Sequence, residues 1–276
     1  MRKIILGGRN MKTIIKLVLI YIGFQFLGGL LALPVMFFLD KTYMLAFALI
    51  LASLMMIWYL FKKDYICINE YTWSIRSVSV LSWMVAYGLG AYFLATWLNE
   101  QVDLPNVMED QFMDLSFNPL GVLGIVVLGP VAEELLFRGA ILGFLLKKLS
   151  WRNAVLTSAL IFGIIHMNPA QILYAFLLGM ALGRIYYKTG SLLICMIIHV
   201  MLNGISTALT ICYPDAQSLG EMSGVAPEGW FLLVGALLLI GGSYYLNRMW
   251  ELPFWKDPVL AEETASVESI NEESKE

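Results

Sequence analysis

Long apolar stretches recur along the whole 276-residue chain, and they constrain its fold more than any other feature. A helix needs about 20 apolar residues to cross roughly 30 Å of hydrocarbon. Within lipid, a helix satisfies its backbone hydrogen bonds inside a single segment. The composition agrees, because 59% of the residues are hydrophobic and only 14% are charged. The sequence therefore predicts an all-α, polytopic bundle of transmembrane helices rather than a soluble globular protein.

We predict about eight spans. Their approximate bounds are 14–38, 43–61, 78–98, 120–146, 154–167, 170–185, 191–211 and 230–246. The fifth span is shorter because Asn168-Pro169 stops it, since proline lacks an amide donor and restricts the residue before it. The first span is interpreted as an uncleaved helix, because its apolar run is too long for a signal peptide.

The basic residues of the short loops predict the orientation of the bundle, because lysine and arginine collect on the cytoplasmic side. Such clusters precede the first predicted span and follow the second, fourth and sixth. The opposite loops are acidic or neutral. We therefore expect an integral, multi-pass protein with both termini in the cytoplasm, located in the plasma membrane if the source is bacterial.

Three ionisable residues, Glu133, Glu134 and Arg138, interrupt the uncharged run 121–146. Residues four apart share a helix face, so Glu134 should face Arg138 while Glu133 points elsewhere. A charge in the hydrocarbon costs at least about 2.5 to 3.5 kcal/mol on insertion scales, and it usually marks a functional site. Two interpretations stay open at this point. The three residues either form a structural clamp between helices or belong to a site built around Glu133.

The two histidines of the chain, His166 and His199, both lie in predicted spans. At roughly 1.5 Å per residue, they come to a similar depth as Glu133 and Asn203. His199 and Asn203 share one helix face, as do Phe162 and His166. A lone membrane histidine is more often an interhelical hydrogen-bonding residue. Four polar groups from three helices at one depth favour a site.

Three short motifs carry a family resemblance. The stretches EELLFR at 133–138, FGIIH at 162–166 and HVMLN at 199–203 resemble the E-E-x-x-x-R, F-x-x-x-H and H-x-x-x-N/B signatures. These signatures belong to the CAAX-protease and bacteriocin-processing family of intramembrane endopeptidases, also called CPBP or Abi, which includes the Ras-converting CAAX endoprotease. Each motif alone is weak, but the ordered set is specific. The resemblance covers roughly residues 118 to 210.

The resemblance implies an intramembrane endopeptidase and a role for each motif residue. Glu133 and His166 would activate a water, as a general base does. His199 and Asn203 would donate hydrogen bonds to the oxyanion of the tetrahedral intermediate. The remaining motif residues would support these four, and they are Glu134, Arg138 and Phe162.

A zinc ion is a second way to activate the water. Glu133, His166 and His199 would form a His2Glu ligand set with one open position. No H-E-x-x-H motif supports this set, and the base would then be Glu134, which the spacing assigns to Arg138. The sequence therefore favours a glutamate-activated water without a cofactor, with zinc as the alternative.

The resemblance also bounds the substrate, the partners and the domains. The expected partners are the lipid bilayer and a membrane-associated peptide or protein substrate, either a CAAX-type C-terminal peptide or a peptide leader or pheromone, and no nucleic acid. The alternative function is a non-catalytic scaffold or bacteriocin-immunity factor that binds a sensor protein.

We predict three N-terminal spans and an acidic external loop in 1–117, a catalytic core of four spans in 118–211, a loop and the last span in 212–255, and a disordered acidic tail in 256–276.

Overall fold

The computed structural model describes residues 11–102, 104–216, 218–223 and 229–249, and this part of the chain contains helices but no β-strand. The helices are α1 (Met11–Ala32), α2 (Lys41–Lys62), α3 (Val78–Val102), α4 (Glu109–Ser116), α5 (Pro119–Leu145), α6 (Trp151–Ile164), α7 (Pro169–Thr189), α8 (Leu192–Cys212), α9 (Leu219–Ser223) and α10 (Gly229–Arg248). The predicted all-α bundle is confirmed. The predicted disordered tail lies outside the described residues.

Seven of the described helices are long and apolar enough to cross a membrane, namely α1 with its 3-10 extension, α2, α3, α5, α7, α8 and α10. The protein is therefore an integral, multi-pass membrane protein. The described residues contain one candidate span fewer than the eight predicted, because α6 has only 14 residues. A helix of that length rises only about 21 Å, which is short of the hydrocarbon thickness. The cytoplasmic location of the termini stays a prediction.

The turn between α6 and α7 explains why α6 is short. The helix ends at Ile164, and Met167 takes a left-handed backbone conformation with φ of 52°. Asn168 is fully buried, and its side chain hydrogen-bonds to the segment that precedes α4. Pro169 then opens α7, at a position where a helix does not need its N–H. This turn leaves His166 just beyond the end of α6.

Helix α5 carries the first motif and lies in the core. It packs against α2, α6 and α8. All eight residues of its segment Leu135–Leu142 are buried, including Arg138. The first motif therefore lies at the centre of the bundle, where α2, α6 and α8 exclude it from lipid.

Helix α1 lies along α2, and a glycine sets how closely the two approach. A Cβ on Gly28 would lie 2.6 Å from the backbone carbonyl oxygen of Ala48. Only glycine therefore allows this contact without a shift of one helix. The close approach matters for the site, because α1 contributes a side chain to it.

Candidate active site

The buried ion pair expected from the sequence spacing is present. Arg138 Nη1 donates to Glu134 Oε1 at 2.8 Å, and the two side chains are 1% and 0% exposed. Arg138 Nη2 also donates to the carbonyl oxygen of Gly179 in α7 at 3.3 Å. The guanidinium carbon lies 4.6 Å from the centre of the Phe162 ring in α6. The pair thus links α5 to α6 and α7, with each buried charge compensated.

Glu134 has a second partner that the spacing does not predict. Its Oε1 atom lies 2.7 Å from Nδ1 of His199 in α8. An ionised carboxylate only accepts hydrogen bonds, so Nδ1 carries the proton of this contact. The opposite ring nitrogen, Nε2, then lies 3.8 Å from Glu133 Oε2. The two adjacent glutamates of α5 therefore meet the same imidazole from its two sides.

Glu133 differs from Glu134 in exposure and in partners. Its side chain is 16% exposed, whereas that of Glu134 is fully buried. The hydroxyl of Tyr21 in α1 donates to Glu133 Oε1 at 3.2 Å. Glu133 lacks a partner on its own helix, as the spacing implies, but a helix far away in sequence supplies one. The sequence indicates this contact only weakly, in that the hydroxyl of Tyr21 falls within an apolar span and needs a hydrogen-bond partner there.

His166 and His199 are brought together around one aromatic ring. The rings of both histidines meet Phe162 edge-to-face, with centroid distances of 5.0 and 6.0 Å. Nδ1 of His166 lies 2.7 Å from the carbonyl oxygen of Phe162. A carbonyl only accepts, so Nδ1 holds the proton, and Nε2 of the neutral ring keeps its lone pair. That lone pair is available to accept a proton or to hold a water.

Asn203 satisfies a backbone carbonyl that the shape of α5 leaves without a helical partner. The segment Leu123–Leu128 is π-helical, and the N–H of Gly129 bonds to Gly124 rather than to Ile125. The next donor in the π pattern would come from Pro130, which has no N–H. Asn203 Nδ2 donates to the orphaned Ile125 oxygen at 2.9 Å. The amide group has a second N–H, which this contact does not use.

We expect Asn203→Ala to lower the free energy of unfolding by about 1 to 3 kcal/mol, because the Ile125 carbonyl loses its donor. The loss should be smaller in a Pro130→Ala background, since that change restores an N–H at the position that can reach the same carbonyl. Denaturant titration of the four proteins in mixed micelles measures both losses. Asn203→Asp has the same size as the wild-type side chain but lacks the NH2 donor, and it serves as the control. Its free energy of unfolding should fall at least as much as that of Asn203→Ala. Equal losses in the two backgrounds would contradict the assignment.

The structure does not gather the proposed zinc ligands. In the described part of the chain, no group of three His, Cys, Asp or Glu side chains is arranged so that it could hold one metal ion. We therefore derive no step through a metal.

The fold and the site define a class of protein: a multi-pass membrane protein whose helix bundle encloses a Glu-Glu-His cluster, with a second histidine and an asparagine nearby. Residues 115–205 match the family model described as type II CAAX prenyl endopeptidase, Rce1-like. This segment contains all three motifs, so the resemblance inferred from them is confirmed. Tyr21 lies outside the matched segment.

A protein of Bacillus subtilis (strain 168) named "Putative membrane peptidase YdiL" is similar to the chain, with 32% identity over 85 residues. The similar region is 31% of this chain and 35% of that relative, so the match spans about a third of the relative's length. No solved structure matches the chain.

Proposed function

We propose that this protein is an intramembrane endopeptidase, in which a water activated by Glu133 and His166 hydrolyses a peptide bond near the membrane. One observation carries the proposal. Glu133 is the partly accessible carboxylate of a buried cluster, and its Oε2 atom lies beside His199. The family match over residues 115–205 supports it, because that family is described as endopeptidases. The relative's name supports a membrane peptidase at the same general level.

The proposed reaction begins with the removal of a proton from water by Glu133 Oε2. The lone pair on Nε2 of His166 holds the same water, and the hydroxide attacks the carbonyl carbon of the scissile bond. Hydrogen bonds from His199 Nε2 and from the second N–H of Asn203 stabilise the oxyanion. The intermediate then collapses, the C–N bond breaks, and Glu133 returns its proton to the leaving amine. Water is thereby divided between the new carboxyl and amino termini.

Each supporting residue has a defined place in this proposal. Glu134 fixes the ring of His199 through Nδ1 and so directs Nε2 towards Glu133. Donation from Nε2 requires the imidazolium form, because Nδ1 already carries a proton. The carboxylates of Glu133 and Glu134 supply the opposing charge. Arg138 balances Glu134, and Phe162 holds the two imidazoles apart at fixed angles.

The family description favours a prenylated C-terminal CAAX peptide over a leader peptide or pheromone as the substrate. The test uses the purified protein in lipid nanodiscs and two synthetic peptides, one with a farnesylated cysteine three residues from its carboxyl end and one identical but unprenylated. We expect cleavage after the modified cysteine. Cleavage of the unprenylated peptide alone would support the leader or pheromone class. A non-catalytic scaffold predicts no cleavage of either, and no difference between the membrane peptidomes of wild-type and Glu133→Ala cells.

The same assay distinguishes the two ways of activating water. If Glu133 acts without a metal, a strong chelator should leave the rate unchanged, and elemental analysis should find well below one zinc per chain. The zinc test is needed because Nδ1 of His199 contacts the Glu134 carboxylate. Metal-binding histidines usually donate their other N–H to a carboxylate in this way. Stoichiometric zinc that is lost and regained together with activity would replace the metal-free reaction.

A further inference from the structure

Tyr21 is the one contributor to the Glu133 cluster that lies in the first helix, 112 residues away in sequence. It is outside the segment that matches the family model, which begins at residue 115. Its hydroxyl donates to Glu133 Oε1, whereas Glu133 Oε2 faces His199. The two oxygens of this carboxylate are therefore distinguished by contacts from two different helices.

Aromatic contacts hold the phenol ring in place. The Tyr21 ring meets Phe137 nearly edge-on, with a centroid distance of 6.4 Å and an interplanar angle of 78°. Phe137 in turn meets Phe162 at 4.9 Å, and Phe162 contacts both histidines. The ring is thus one end of an aromatic chain that runs through the whole cluster.

The side chain of Gln25, about one turn further along α1, is near the Tyr21 hydroxyl. A phenol donates one hydrogen bond and accepts others, so the amide of Gln25 can donate while Tyr21 donates to Glu133. This arrangement orients the phenol O–H towards the carboxylate.

Packing alone does not require this hydroxyl. A phenylalanine would preserve the edge-on contact with Phe137, without a polar group in an apolar span. A hydroxyl in an apolar environment costs free energy unless it is hydrogen-bonded, and the Tyr21 hydroxyl meets this requirement by donating to Glu133. The hydroxyl is therefore needed for the hydrogen bond to the Glu133 carboxylate rather than for the packing of the ring.

We propose that Tyr21 is a positioning residue for Glu133, an inference that rests on the proposed proteolytic function. The terminal torsion of a glutamate is broad, so the side chain alone does not fix the orientation of the carboxylate plane or the direction of its lone pairs. The bond from Tyr21 holds Oε1 and thereby presents Oε2, the proposed base, beside His199. The first helix, outside the family-matching segment, then completes the site.

The test replaces Tyr21 with phenylalanine, which keeps the ring and removes only the hydroxyl. With whichever of the two peptides the wild type cleaves, we expect kcat to fall about tenfold, because misplacement of a base slows the chemical step. The KM and the melting temperature should stay close to the wild-type values. Tyr59→Phe is the matched control, since it also removes the hydroxyl of a tyrosine in the α1–α2 pair, one whose ring stacks on Tyr65. It should leave kcat unchanged.

An infrared measurement tests the contact without relying on activity. The carboxylate stretching band of Glu133 is identified by its loss in Glu133→Gln, and it should shift in Tyr21→Phe but not in Tyr59→Phe. An unchanged band, an unchanged kcat, or equal falls in both tyrosine variants would overturn the positioning role. A wild type that cleaves nothing would instead overturn the proposed function, and the band would still decide whether Tyr21 orients the carboxylate.

Discussion

Glu133→Gln should reduce peptide hydrolysis by about 10² to 10⁴-fold, the range that a positioned general base contributes. Glutamine has nearly the same shape, and its carbonyl oxygen can still accept the hydrogen bond from Tyr21. It cannot accept a proton from water, so only the chemical function is removed. Hydrolysis of the synthetic peptides by the purified variant in nanodiscs measures the effect, with circular dichroism and melting temperature as checks on folding.

The comparison variant for this experiment is Glu109→Gln, which makes the same chemical change in α4 at an exposed position. It should retain the wild-type rate. Substantial hydrolysis by Glu133→Gln, with the protein folded and free of wild-type contamination, would remove Glu133 from the role of base. The proposed mechanism would then fail at its first step.

Glu134→Ala should have a different outcome, with a loss of stability of about 3 to 5 kcal/mol, the range for removing one partner of a buried ion pair. The change leaves the Arg138 guanidinium without its carboxylate, and the His199 Nδ1–H loses its acceptor. We expect lower expression and a lower melting temperature. Unfolding in mixed micelles, followed by circular dichroism, gives the magnitude.

Two variants show whether this loss comes from the unpaired charge. Glu133→Ala removes the adjacent carboxylate, whose side chain is 16% exposed, and it should cost much less stability. Glu134→Gln keeps one acceptor oxygen, the number that Arg138 and His199 share in the wild type, but removes the charge. Its stability should therefore lie between those of Glu134→Ala and the wild type. A wild-type melting temperature and yield for Glu134→Ala would contradict the clamp.

The class of fold and the partners on one helix could be predicted from the sequence. Membrane helices are recognised by local composition, because each must be apolar over its own length to replace water with hydrocarbon. The Glu134–Arg138 pair follows from a spacing of four residues, which helical geometry alone places on one face. The motif spacings also bring Phe162 near His166, and the observed contacts agree.

The end of α6 was less predictable than its length. The apolar run 154–167 has 14 residues, as many as the observed helix, but the helix lies three residues earlier in the chain. The helix ends at Ile164, where Met167 and the buried Asn168 form the turn into α7. The contacts of Asn168 with the segment before α4 stabilise that turn, and they are not encoded in the hydropathy of the run.

The sequence by itself determined a helical membrane protein, an ordered set of polar motif residues and the pairing within one turn of α5. The tertiary structure decided which residues meet across helices. Tyr21 and Glu133 are 112 residues apart, and Glu134 and His199 are 65 apart. Helical periodicity defines the face on which a side chain lies. The partner of that face depends on how whole helices pack, including the close approach at Gly28, so no local pattern reveals it.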